Sequence, residues 1–240
     1  MTKRKTGNWL NNLSAEERYR RAREKLSSTE TQQGLVNDAL KQMRWHENTK
    51  WLIERTEVQG QVEPSYAAHA FEALQRSLVE HEIINLCSFW DNAAKNSHSI
   101  PTIVALAEGP EIERLVFQDH KSKYPGESVG QIEGEKAVRV LDQTIKAAKR
   151  KSESDALKSL KNLRHKMAHS LIESDAEQKG KLFKEPAYSM VGPTFRQTQI
   201  IVRNLYCCLS GTSFNFQDSR KIASRNAAYF WSGVTINVKG

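Results

Sequence analysis

The chain has 240 residues, 38% hydrophobic and 27% charged, with a formal net charge of +8. A chain this long buries a core without disulfides or metals, and its basic balance points to an acidic partner, nucleic acid or an anionic membrane surface, without choosing between them. Three cysteines, two of them adjacent, form no disulfide framework and no C-x-x-C pair for zinc, and no apolar run has signal-peptide or membrane-spanning length, so a reduced, soluble, cytoplasmic protein is expected.

Residues 1–13 read as a basic, loosely ordered arm. "SAEE" then offers a capping box, with Ser14 as cap and Glu17 three residues on. Helical pattern follows, is interrupted at "SSTETQQG", and resumes through "LVNDALKQMRWHENTKWLIERT". "VQGQVEPS" is a turn. From Ser65 the spacing of Phe71, Leu74, Leu78, Ile83, Leu86, Phe89, Trp90 and Ala93 predicts a helix to about Asn96. Pro101 opens a short helix. Pro and Gly break up "EGPEIERLVFQDHKSKYPGESVGQIEG", which predicts a short helix and a loop. "EKAVRVLDQTIKAAKR" is amphipathic through Val138, Leu141 and Ile145, and "SESD" caps the next helix, expected to reach about Ser174. A loop over "EQKGKLFKEPAYSMVG" leads to a helix opened near Pro193 and stopped at Gly211. The aromatic and β-branched tail "YFWSGVTINVK" suits a strand or a cover for a core edge. The expected fold is all-α: a helical bundle of four to five main helices, with an irregular C-terminal tail able to form a short strand. The expected organisation is an arm at 1–13, a helical domain at 14–211 and an extension at 212–240 that packs on it.

The chemistry concentrates in "LKNLRHKMAHSL", residues 160–171. Leu160, Leu163, Met167 and Leu171 recur at helical spacing and form the expected buried stripe. Arg164 lies only about 40° from Leu160 around an ideal helix, at the stripe's edge. His165 and His169 are one turn apart on the opposite side, and Ala168 between them gives low relief. From residue 145 to 166 there are eight Lys or Arg, among them Lys158, Lys161 and Lys166, against Glu153 and Asp155. Such a face suits phosphate chemistry. An imidazole titrates near neutrality and can take the proton of a ribose 2′-hydroxyl or return one to a leaving 5′-oxygen. A guanidinium offers a bidentate fork for the phosphate. No compact Asp/Glu cluster is present for a two-metal nuclease, and no cofactor is expected.

Spacing alone is weak evidence. With 16 Arg and 7 His in the chain, about one accidental R-x4-H match is expected in two chains of this size. Arg76 and His81 stand at the same spacing and Arg114 and His120 one residue wider, and both pairs read as structural. Trp45, Trp51, Phe89 and Trp90 suit core or interface, Cys207 and Cys208 suit packing, and His46, His69 and His98 show no metal-ligand spacing.

The segment "LRHKMAHS" resembles the signature of HEPN domains, in which an Arg, a polar residue and a His follow at short spacing. His165 fills the polar slot, where Asn or Asp is more usual, and Lys166, Ala168 and Ser170 match positions common in bacterial members. Residues 70–108, with Trp90 and Asp91 ahead of "SIP", resemble the early long helix of the AbiU-like HEPN proteins of phage abortive infection. The resemblance spans about residues 40–210 and leaves out the arm and the tail after 211. It implies a helical bundle that dimerises with its motif helices facing each other, with Arg164 and His169 as the core pair and His165 beside them. It also implies a metal-independent endoribonuclease acting as a toxin or phage-defence effector, with Lys158, Lys161, Lys166 and Ser170 on the RNA and a neutralising antitoxin or defence partner. Two other readings stay open: a non-catalytic nucleic-acid or nucleotide-binding HEPN module, and a helical interaction protein with a merely solvated basic face. A dimer also fits the geometry. Arg164 and His169 are about 140° apart on one ideal helix, so one isolated helix does not converge them on one atom, whereas two copies about a two-fold axis could bring both pairs into one cleft.

Overall fold

The computed structural model describes residues 9–27, 33–54, 60–62, 68–168 and 188–234. Among these residues there is no strand. The helices are α1 (Ala15–Leu26), α2 (Leu35–Glu54), α3 (Ala68–Ser88), α4 (Ile100–Ala107), α5 (Pro110–Ser122), α6 (Glu127–Ser152), α7 (Asp155–Ala168), a 3-10 turn (Tyr188–Met190), α8 (Val191–Ser210) and α9 (Phe216–Ser232). The chain divides into two compact units: Met1–Ala39 with Ser88–Lys158 and Thr194–Phe214, and Leu40–Cys87 with Ser159–Pro193 and Asn215–Gly240.

The first unit is held by helix ends as much as by its core. Ser14 caps α1, its hydroxyl accepting from the Glu17 backbone N–H at 3.2 Å. Ser99 caps α4 in the same way, with Pro101 in the first turn. The C-terminal carbonyls of a helix lack intrahelical partners, and here side chains supply donors. The Arg18 guanidinium donates to the carbonyls of Ala105, at 3.2 Å, and Glu108, closing α4. At the end of α8, Tyr19 donates to the Leu209 carbonyl at 3.0 Å, His120 meets that of Cys208 at 2.9 Å, and Lys123 reaches that of Ser210 at 3.3 Å. Gly211 then stops α8 at φ +68, as its position in the sequence predicts.

Three expectations change. The helix from Ser65 stops at Ser88, not at about Asn96. Phe89 and Trp90 are buried in the turn that follows; the Phe89 carbonyl accepts from Ile100 and the Trp90 indole donates to Thr198 Oγ1 at 3.0 Å. Tertiary burial overrides a helical period that ran on. Second, the Pro/Gly-interrupted stretch 108–134 forms α5 and the first turns of α6, two helices packed on one another. Gly130 and Gly134 do not break α6. A Cβ at Gly134 would stand 2.7 Å from the Phe117 ring, and one at Gly130 2.6 Å from the Lys121 carbonyl oxygen. These glycines let α5 and α6 approach closely. Third, the tail is helical to Ser232, capped by Asn215, whose side chain accepts from Gln217 N–H at 2.9 Å. The aromatic run that suggested a strand sits on that helix, and most of the β-branched run beyond it lies outside the described residues.

The second unit contains the later turns of α2, most of α3, the end of α7, the 3-10 turn and α9. Helix α9 faces α2 through the small residues Ala223 and Ala227, its buried positions along with Phe216. Two polar ties fix it there: Arg220 to Glu47 at 3.6 Å, and the Trp231 indole donating to Asn48 Oδ1 at 3.1 Å.

Candidate functional site

Helix α7 is started by Ser154, whose hydroxyl accepts from Leu157 N–H at 3.4 Å. Leu157 and Leu160 are fully buried, whereas Leu163 and Met167 are only half-buried. The expected stripe is therefore anchored at its N-terminal end, and burial weakens toward the motif. Arg164, Lys161 and Lys166 are half-buried and His165 is exposed, all on the last turns of the helix. His169, Ser170 and Leu171 lie outside the described residues, as does any continuation of the helix to Ser174.

The basic run before the motif is less free than its composition suggests. Lys146 pairs with Asp142 at 2.7 Å, Lys149 with Glu108, and Lys158 with Asp155 at 3.6 Å. Lys151 is held against Thr194 Oγ1, and burial pulls its ammonium below the usual lysine range. Exposed pairs like these contribute little stability, but they cancel charge that would otherwise draw phosphate.

The competing Arg/His pairs have structural work. Arg76 pairs with Glu80 at 2.8 Å on an exposed face, and His81 meets Asn85 at 2.7 Å with its ring 4.5 Å from that of Trp45. His120 caps α8. Cys87 and Cys208 are buried free thiols and Cys207 is half-buried; burial pushes the Cys208 thiol up to about 12, leaving it an inert packing group. Among the described residues no group of three or more His, Cys, Asp or Glu could hold a metal ion, and no helix is long and apolar enough to cross a membrane.

The structure also brings together a polar cluster that periodicity does not reveal. Glu82 on α3 is wholly buried. Its Oε1 lies 2.5 Å from His46 Nδ1 on α2, its Oε2 accepts from the Tyr188 hydroxyl at 3.1 Å, and its backbone carbonyl accepts from Gln42 at 3.0 Å. Burial and the Glu82 carboxylate hold the Tyr188 phenol well above the usual tyrosine range. One carboxylate thus ties together two helices and the turn that opens α8. The available signal was a glutamate at position 82 beside the buried Ile83 and one turn before Leu86, where a solvated charge does not belong.

A family model described as AbiU2, of the HEPN type, matches residues 29–230. No curated protein and no solved structure matches the chain. The match reaches further than the sequence resemblance at both ends. It takes in the tail after Gly211 as far as Phe230, and so covers most of α9.

Proposed function

The chain belongs to the AbiU2 family of HEPN proteins, an abortive-infection type, and from that premise we propose that it is a homodimeric, metal-independent endoribonuclease acting as a toxin or phage-defence effector. The observation that carries the reading is the position of the R-x4-H segment. Arg164 and His165 lie on the last turns of a capped helix within the family-matched stretch. Arg164 holds the scissile phosphate and offsets the charge that develops on it. His169 takes the proton of the 2′-hydroxyl, whose oxygen attacks the adjacent phosphorus. His165 returns a proton to the departing 5′-oxygen. Lys158, Lys161, Lys166 and Ser170 approach the RNA backbone. The products are a 2′,3′-cyclic phosphate and a 5′-hydroxyl end. A two-fold dimer gathers two copies of the motif in one cleft.

The test is cleavage of a mixed RNA pool with and without EDTA. Cutting that survives chelation, spares DNA and leaves cyclic-phosphate ends is expected. Removal of one general acid–base group costs about a hundred- to ten-thousand-fold, so His169→Ala and Arg164→Ala lose detectable cutting, while His81→Ala cuts like the unsubstituted protein. A folded dimer that binds RNA but cuts none would replace this reading with that of a non-catalytic binding module.

A further inference from the structure

Helix α9 turns an unusual face to solvent. Tyr229 is 85% exposed, Phe230 60% and Ile222 53%. On the same side as Tyr229 stand Lys221 and Arg225, both exposed. Lys221, Arg225 and Tyr229 follow at intervals of four, so they form one row that drifts about 40° and rises about 6 Å at each step. Lys221 has only a loose, exposed pairing with Asp218 at 3.8 Å, and Arg225 has no acidic partner among the described residues. Beside this row runs a groove of about 390 Å³, lined on the α9 side by Ile222 and Asn226 and on the α2 side by Met43 and Arg44. Arg44 is exposed and likewise has no acidic partner among the described residues. The Phe230 ring is braced edge-on by Trp231 at 5.1 Å, and Trp231 is itself fixed to Asn48.

We propose that this face of α9, with the groove beside it, is a binding site for single-stranded nucleic acid. Bases stack on Tyr229 and Phe230, while Arg225, Lys221 and Arg44 take the phosphates. The occupant is chosen by charge and shape. Aromatic faces beside exposed cations suit a chain of planar bases on a polyanionic backbone. A second copy docked by the same face about a two-fold axis would set each Arg225 and Lys221 among its own like charges, with Asp218 the only acid in the row. An apolar protein surface would bury the cations unpaired, at a cost. A lipid surface favours a continuous apolar stripe, which Lys221, Arg225 and Asn226 interrupt. The proposal rests on the reading of the chain as an RNA-directed protein, and adds to it a substrate-holding site away from the motif in sequence.

The experiment measures binding of a labelled single-stranded RNA of mixed sequence by fluorescence anisotropy, with His169→Ala in every protein so that the probe survives. Loss of one stacked base weakens binding about 5- to 150-fold, which is the effect expected of Tyr229→Ala, with recovery in Tyr229→Trp. Arg225→Gln should weaken binding and flatten the dependence of log K on log salt by about 0.7. Ultraviolet cross-linking should mark Tyr229 or Phe230. Equal affinity of the Tyr229→Ala, Phe230→Ala double variant and its parent overturns the proposal. So does a double variant that becomes monomeric while RNA binding holds, or one that loses only its sedimentation with anionic phosphatidylserine vesicles. Cleavage assays in the His169 background separate this site from the nuclease. A chain that binds RNA through α9 but cuts nothing keeps this site and loses the nuclease. One that cuts, with binding and KM indifferent to Tyr229, does the reverse.

Discussion

Replacing Glu82 should unfasten the second unit more than its single carboxylate suggests. The side chain is wholly buried, and two donors on different elements converge on its oxygens. Removal of the carboxylate takes a fully buried shared partner from the half-buried His46 ring and Tyr188 hydroxyl together. Breaking a buried charged pair by deleting one partner costs about 3–5 kcal/mol, so Glu82→Ala should lose that much in urea unfolding. For a chain of this size that is about 6–20 °C in Tm. Glu82→Gln keeps the shape but replaces one acceptor oxygen by an N–H donor, so one of the two contacts must reverse its direction or be lost, at up to about 1–3 kcal/mol. Tyr188→Phe removes one donor and should cost about 1 kcal/mol. Because both groups share one bond, the Glu82→Gln, Tyr188→Phe double variant should lose less than the two singles added, by about 0.5 kcal/mol or more. Additive losses would show that Tyr188 is not held by Glu82. A Glu82→Ala protein within about 0.5 kcal/mol of the unsubstituted chain would refute the argument outright, since changes of that size are what uninvolved surface positions give.

Gly130→Ala should destabilise, although the same change at a solvated helical position gains up to about 1 kcal/mol. The new Cβ would sit 2.6 Å from the Lys121 carbonyl oxygen, and a backbone atom cannot swing aside; a stability gain in urea unfolding would show that α5 and α6 are not that close. Tyr19 gives a prediction in pH. Burial and the neighbouring Asp119 carboxylate hold its phenol above the ordinary value of 10.0. Below pH 10 both the folded and the unfolded chain keep the proton, and as pH climbs past it the unfolded chain ionises first, so this contribution to stability is fully present below about pH 10 and lost above it. Tm should therefore fall as pH rises above about 10, and fall less steeply in Tyr19→Phe; equal slopes would remove Tyr19 from the explanation.

How far the sequence could be read depended on whether a feature was settled locally. Ser14, Ser154 and Gly211 each act within four residues of themselves, and the caps and stop they predict are present. The run 108–134 failed because Gly130 and Gly134 look like breakers along the chain, and their purpose is visible only from Phe117 and Lys121 on the neighbouring helix. A four-residue spacing of glycines inside an otherwise helical pattern carried that information. The helix expected to run through Trp90 stopped short for the same reason: Trp90 is buried as expected, but its partner Thr198 is far away in sequence. The site divides along the same line. Arg164, His165 and Lys166 on one helix were legible as a motif, and so were the decoys, because an acid such as Glu80 stands one turn from Arg76. Glu82, His46 and Tyr188 were not, because they come from three segments and each alone resembles an ordinary surface residue. Only the burial of a carboxylate that no solvent reaches makes them a unit. The aromatic tail shows the converse limit. Its composition suggested a strand or a cover for a core edge, but strand propensity is a weak guide where Asn215 caps a helix and Ala223 and Ala227 let it settle on α2. Once the segment is helical, Tyr229 is carried out to solvent on the side of Arg225, and the edge it was expected to cover is covered by the alanines instead.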